Sequence, residues 1–369
     1  MLLNIIIALL VLNIMVIAHE LGHYLFARRN GIEVDEFAVG FGPTLWKKRW
    51  NGTMWLLKLF PLGGYNGLKG EMEAEEGKGN FATAGKKAKF QVLIAGSAMN
   101  VLVAIVAFYL AIALYGWKVP IPVNFSPIGG KINEVALEKV TLIAVAPGSP
   151  AEKAGIVPPL HIVEINGKAV SAPADVGQHI VDSPTDEVSL LVQVPGGESR
   201  VVSVVRDENK RIGVQLQSAA LILDYSGSLV TKAFAGISHA ANVTILTWDM
   251  LSLLIGYSQQ TGDLEPVGYA LAGPVAIVAA VDSVVTVSPT VIADLASMTG
   301  LIGISLAIFN LLPFPGLDGW HIFLLFYEKA RGRKPNQKLV SLLTGLGLFF
   351  LIGLGVAIMI KDVWMFFVR

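Results

Sequence analysis

Long apolar runs alternate with polar, charged stretches along this chain. Met1–Leu25, Phe90–Trp117, Val291–Leu312 and Leu339–Ile360 are each long enough, as helices rising about 1.5 Å per residue, to cross a hydrocarbon layer of about 30 Å. The first run has no basic residue before it, and His-Glu-Leu-Gly-His rather than a small-residue cleavage site follows it, so it reads as a retained helix. Between the first two runs, Val34–Phe41 and Thr53–Phe60 have the short alternating character of strands, broken by Asn51-Gly52 and Gly63-Gly64. Glu71–Gly79 is acidic and reads as a loop. Val140–Val205 alternates apolar runs with turn signals at Pro147-Gly148-Ser149-Pro150, Asn166-Gly167 and Pro195-Gly196-Gly197, the pattern of a small soluble module. Ser228–Gly256 is apolar but carries Lys232, His239, Asn242 and Asp249, and is expected to be an amphipathic helix on the membrane's outer face; as a fifth span it would require Tyr269–Val287 to cross as a sixth.

The expected fold is a polytopic α-helical membrane protein with about four transmembrane helices, a cytoplasmic β region and one extracytoplasmic α+β module. The boundaries run as follows: a first helix over 1–27, the β region over 28–89, a second helix over 90–117 and the module over 140–206. A linker with the amphipathic helix then covers 207–288, followed by a third helix with a broken end over 289–326 and a fourth over 337–361.

Composition agrees with a membrane protein. Of 369 residues, 53% are hydrophobic and only 15% charged, against about a quarter charged in ordinary soluble domains. Net charge is zero, and the absence of a large basic block argues against a nucleic-acid partner. The charges are unevenly placed: residues 28–89 hold 11 Lys or Arg, and Lys329, Arg331, Arg333, Lys334 and Lys338 lie between the last two runs. Basic loops are retained on the cytoplasmic side, which puts both termini and the module outside. There are no cysteines, so thiolate ligands are excluded.

The chemistry starts at His19-Glu20-Leu21-Gly22-His23. Histidines at i and i+4 share a helix face and can reach one zinc ion, and the glutamate beside the first can deprotonate a water. A bland alternative is an interfacial cap, which suits Arg28 and Arg29 but not His19 and Glu20, more than a turn further in. Ionisable groups inside a span each cost roughly 2.5–3.5 kcal/mol on insertion scales, so they mark function. A catalytic zinc needs a third protein ligand. The best candidate is Asp318, beside the break that Pro313 and Pro315 impose on the third span. Both polar sites fall near the inner ends of spans that run in the same direction, so they can meet.

These residues resemble the site-2 protease family of intramembrane zinc metalloproteases, within it the bacterial branch that includes the regulator-of-sigma-E proteases. The resemblance rests on His19–His23, Phe60-Pro-Leu-Gly-Gly-Tyr65, Gly96-Ser-Ala-Met-Asn100, Gly273-Pro274 and the Asn310–Gly319 stretch. It implies zinc held by His19, His23 and Asp318, with Glu20 as general base. It also implies that Asn310 holds the substrate backbone or oxyanion, and that Gly63, Gly64 and Tyr65 lie on a membrane-inserted β loop presenting the substrate. The substrate would be a single-pass membrane protein in the bacterial inner membrane, such as an anti-sigma factor trimmed by a site-1 protease or a remnant signal peptide. The module over 140–206 resembles a circularly permuted PDZ domain, although Pro159-Leu160 replaces the Gly-Asp usual there. Two rivals keep the architecture: a catalytically silent PDZ receptor, against which the intact Glu20 argues, and a zinc transporter, whose ligands would be spread through the depth of the membrane.

The charge pattern is testable in this cysteine-free chain. Single cysteines replacing Lys48, Asn166, Arg333 and Arg369 should react with an impermeant thiol reagent in intact cells only at the second and fourth positions. Labelling at the first or third would refute the orientation.

Overall fold

The computed structural model describes the chain apart from residues 1, 71–78, 122–124, 147, 195–196, 263–271, 334 and 365–369. The acidic loop therefore lies outside the described residues except for Gly79, as do the turn residues Pro147, Pro195 and Gly196 and the C-terminal Arg369. Two compact units appear, Met1–Trp117 with Ser226–Arg369, and Lys118–Tyr225.

The first unit is helical with one small sheet. Its helices are α1 (Leu2–Arg29), α2 (Lys86–Leu114), α5 (Leu229–Thr261), α6 (Pro274–Val287), α7 (Val291–Asn310), α8 (Asp318–Arg331) and α9 (Gln337–Val363). Five of them, α1, α2, α5, α7 and α9, are long and apolar enough to cross a membrane. Large apolar side chains such as Phe349, Ile352 and Leu342 on α9 are more than half exposed, a surface that suits lipid and not water. The chain is thus a polytopic membrane protein.

The fifth candidate falls on Ser228–Gly256, the segment expected as a surface helix, and by length and composition it also suits a span. Four polar residues interrupt the segment, yet Ser228 caps a single helix of 33 residues, accepting from Thr231 N–H. Two of those polar residues are turned inward: Asn242 is fully buried, and the His239 ring stands edge-on to Phe108 of α2 at 4.9 Å. Direction along the bundle is also fixed. Lys232 lies over the Trp117 ring just past the end of α2, and the Tyr115 hydroxyl bonds Asp294 in the first turn of α7. The starts of α5 and α7 therefore both lie at the C-terminal end of α2. α1 and α7 run one way and α2 the other.

Membrane helices gain little from hydrophobicity against each other and associate through close packing at small residues. Here a Cβ added to Gly22 of α1 would fall inside contact distance of the Ala95 carbonyl of α2, and one on Gly303 of α7 would lie 2.9 Å from Met15 Sδ and 3.1 Å from Ala104 Cβ. Pro313 and Pro315 end α7, as their missing N–H groups require, and α8 restarts at Asp318. α9 braces that break: a Cβ on Gly347 would collide with the Pro315 carbonyl, and Trp320 Nε1 donates to Thr344 Oγ1 at 3.1 Å.

The sheet consists of β1 (Val34–Trp50) and β2 (Thr53–Leu68), turned at Asn51-Gly52, where both residues have positive φ. Both strands run further than the pattern predicts. Gly63-Gly64 does not break β2; it lies inside the strand, with Gly63 at φ +92°. There the chain bends back, so that Val34–Val39 is flanked by Met54–Leu57 on one edge and by Gly64–Leu68 on the other. Tyr24, Phe37, Leu68 and Val92 form the buried core between this sheet, α1 and α2.

The second unit contains β3 (Lys118–Ile121), β4 (Lys131–Val145), β5 (Leu160–Ile165), β6 (Lys168–Ala169), β7 (Glu187–Gln193), β8 (Ser199–Val205) and β9 (Val214–Asp224), with short helices α3 (Pro150–Lys153) and α4 (Pro173–Val181). The strand order is β3-β9-β4-β5-β7-β8, with β6 on β5. Leu142, Ile162, Ile165, Leu190 and Val192 from the strands and Val176 and Ile180 from α4 fill its core. The compact unit is wider at both ends than the 140–206 that turn signals mark out.

Close packing of α1 on α2 predicts that Gly22→Ala, which meets backbone and not a movable side chain, costs about 1–3 kcal/mol. Gly355→Ala meets nothing within 4 Å and should cost nothing. Thermal unfolding in detergent checks both; an unchanged midpoint for Gly22→Ala would contradict the packing.

Candidate metal centre

Three elements bring three donor atoms to one end of the bundle. His19 and His23 are one turn apart on α1, with ring centroids 4.6 Å apart and planes at 82°. Asp318 opens α8 directly after the proline break. His19 Nε2 lies 3.1 Å from His23 Nε2, and both nitrogens lie 3.2 Å from Asp318 Oδ2. Helix α1 aligns the imidazoles, and the broken backbone delivers the carboxylate to them. A Cβ on Gly319 would collide with the Leu311 and Leu312 carbonyls, so glycine allows the chain to turn back tightly enough to do so.

The donor set fits a metal ion. His23 Nδ1 donates to the Val92 carbonyl at 2.8 Å, which leaves the neutral ring's lone pair on Nε2. Asp318 Oδ2 is buried and has no hydrogen-bond donor. Electron-rich atoms facing one another in this way call for a cation. A tetrahedral zinc ion with bonds of about 2.0–2.1 Å sets its ligand atoms roughly 3.3 Å apart, close to the spacing found. Three protein donors leave a fourth position for chemistry. Among the described residues, His19, His23 and Asp318 are the only cluster of this kind.

Helix α2 forms the wall behind the imidazoles. A Cβ on Gly96 would collide with His23 Nε2 and His19 Cε1. Asn100 Nδ2 lies 3.5 Å from His19 Nδ1, while Asn100 Oδ1 is buried without a partner. Turning this amide over would offer Oδ1 to the Nδ1–H that His19 carries when Nε2 is the ligand.

Glu20 stands beside the cluster and faces the sheet. A Cβ on Gly64 would lie 3.3 Å from Glu20 Cγ, so β2 passes close to the carboxylate. Asn66 Nδ2 donates to Glu20 Oε2 and to the Glu20 carbonyl, each at 2.7 Å. The other expected β-loop residues are further removed. Gly63 packs against the Phe41 ring. Tyr65 points to the opposite face from its neighbours, where its hydroxyl donates to Glu36 and accepts from Lys58. Asn310 is the last residue of α7 and half-buried. Sequence reasoning missed Gly96 and Asn100 as individual neighbours of the histidines, although both lie in the motif that opens the second span. It missed Asn66 altogether, since nothing in one sequence distinguishes it from a loop asparagine.

Comparison with known proteins agrees with this geometry. The model of peptidase family M50 matches residues 7–354. A protein of Clostridium acetobutylicum named "Putative zinc metalloprotease" is 25% identical, over 98% of this chain and 97% of its own length. Relatives of the same name in Campylobacter jejuni and Helicobacter pylori are 28% and 30% identical, over 94% and 85% of this chain and 89% and 86% of their own.

The wall formed by α2 is testable. Gly96→Ala should weaken zinc binding about 10–100-fold, the range for disturbed supporting groups, whereas Gly345→Ala, with nothing within 4 Å, should leave it unchanged. Chelator competition on the purified protein measures both, and unaltered affinity in Gly96→Ala would contradict the placement.

Proposed function

The chain belongs to peptidase family M50 and is a zinc metalloprotease; from that premise we propose that it hydrolyses a peptide bond inside the transmembrane segment of a single-pass membrane protein. The observation that carries this reading is the position of His19, His23 and Glu20 within an apolar helix, met by Asp318 just past the broken end of another, next to a sheet edge. The three donor atoms gather at one level, as a hydrolytic site needs, and are not strung out along a transport path.

His19, His23 and Asp318 are the proposed zinc ligands. Zinc held there supplies a Lewis acid that polarises a carbonyl and lowers the pKa of water toward about 7. Glu20 then takes the proton from the attacking water and passes it to the leaving nitrogen. Asn310 would donate its amide to the substrate backbone or the developing oxyanion.

A helical substrate hides its carbonyls in its own hydrogen bonds and must unwind to be cut, which leaves backbone groups unsatisfied in an apolar setting. Gly64–Leu68 pairs with Val34–Val39 on one side, and among the described residues no strand pairs with its other side. That edge can receive the unwound segment by strand addition. Gly64 keeps the approach to Glu20 narrow, Gly63 provides the bend, and Tyr65 fixes the outer face of the strand through Glu36. The proposed setting is a bacterial inner membrane with the basic loops inside. The Lys118–Tyr225 unit would be a PDZ-like domain outside, screening substrates that an earlier protease has trimmed.

Glu20→Gln spares the ligands and removes the base. The purified variant should retain one zinc per chain and lose cleavage of a detergent-solubilised single-pass substrate by at least about 10²-fold. More than a few per cent of wild-type turnover would sink the role given to Glu20.

A further inference from the structure

One polar contact joins the sheet to the catalytic helix and has no part in the chemistry described so far. Asn66 stands on the Gly64–Leu68 segment, opposite Phe37 on the paired strand, on the face that packs toward α1. Its single NH2 group reaches two acceptors on one residue, Glu20 Oε2 and the Glu20 carbonyl, both at 2.7 Å. The carboxylate is thereby tied to the backbone of its own helix, which fixes the side-chain rotamer. Among the described residues nothing bonds the second oxygen, Oε1, and it remains available for a proton. Asn66 Oδ1 is buried without a partner, so the amide is held where it is by its donor side alone.

An amide can neither give nor take a proton near neutral pH, so Asn66 does not catalyse. We propose that Asn66 is a positioning residue, aiming the Glu20 carboxylate from the very strand on which the substrate segment docks. This rests on the reading of Glu20 as the base and of Gly64–Leu68 as the docking edge. It adds that docking and base are mechanically coupled. A shift of the edge strand is transmitted through one side chain to the atom that receives the proton, so the base is in register only when the strand is. Misplacing a reacting group by about 1 Å can cost on the order of 10²-fold in rate.

The test uses the full-length protein in detergent with a purified single-pass membrane peptide as substrate, measuring kcat, KM, zinc content and thermal midpoint. Asn66→Ala should lose about 10–100-fold in kcat, with KM, zinc and midpoint near wild type. Asn66→Asp keeps the shape but replaces the donor by a charge that repels Glu20, so it should be slower still than Asn66→Ala. A merely structural role predicts the reverse order, because the isosteric variant would pack better. The proposal is overturned if Asn66→Ala turns over within twofold of wild type, if its loss lies in KM, or if Asn66→Asp restores activity. Glu20→Gln measured alongside separates the two levels. Should that variant remain active, the base assignment fails; should it be inactive while Asn66→Ala is unimpaired, only the coupling fails.

Discussion

Two imidazole nitrogens and a carboxylate oxygen lie 3.1–3.2 Å apart among apolar helices, and this concentration of lone pairs is the constraint around which the helical unit is arranged. Without a cation it would be costly, since unpaired polar groups away from water lose hydration and gain nothing. With one, the surrounding structure must still leave room for it. Gly22 lets α1 approach the α2 backbone, Gly96 leaves space for the imidazoles on the other side of that approach, and Gly319 lets the chain turn back at Asp318. The same turn of α2 thus serves packing and chemistry together: a methyl group on Gly22 would meet its backbone, and one on Gly96 would meet the imidazoles.

The supporting contacts divide the labour between helices and sheet. Helices α1, α2 and α7, with α9 bracing the proline break, fix where the donors stand. The sheet reaches the site from the side and meets Glu20 through Gly64 and Asn66. Glu20 shares α1 with His19 and His23, and its side chain carries the bond to the sheet. The second unit builds a core of its own around Leu142, Ile162 and Leu190.

Much of this was readable from local pattern. Spanning runs, the i, i+4 histidines and the double proline each follow from rules that act within a few residues, and they predicted the helices and the break near Asp318. That Asp318 meets the histidines needed one further argument, the shared depth of two span ends. What escaped the sequence depends on pairing between distant segments. Gly63-Gly64 carries a turn composition, but the return of β2 along the far edge of Val34–Val39 makes it a bend inside a strand. Asn66 gains its meaning only because that return brings it to α1. Lys232, His239, Asn242 and Asp249 suggested a surface helix; in the fold His239 packs on Phe108 of α2, Lys232 lies over Trp117 just past it, and the helix is long enough to span.

X-ray absorption at the zinc edge of the purified protein tests the central claim most directly. The account predicts one zinc per chain, four-coordinate, with two imidazole nitrogens and oxygen ligands at about 2.0–2.1 Å, and one imidazole fewer in His23→Ala. An octahedral, all-oxygen environment, or a spectrum unchanged in His23→Ala, would contradict it.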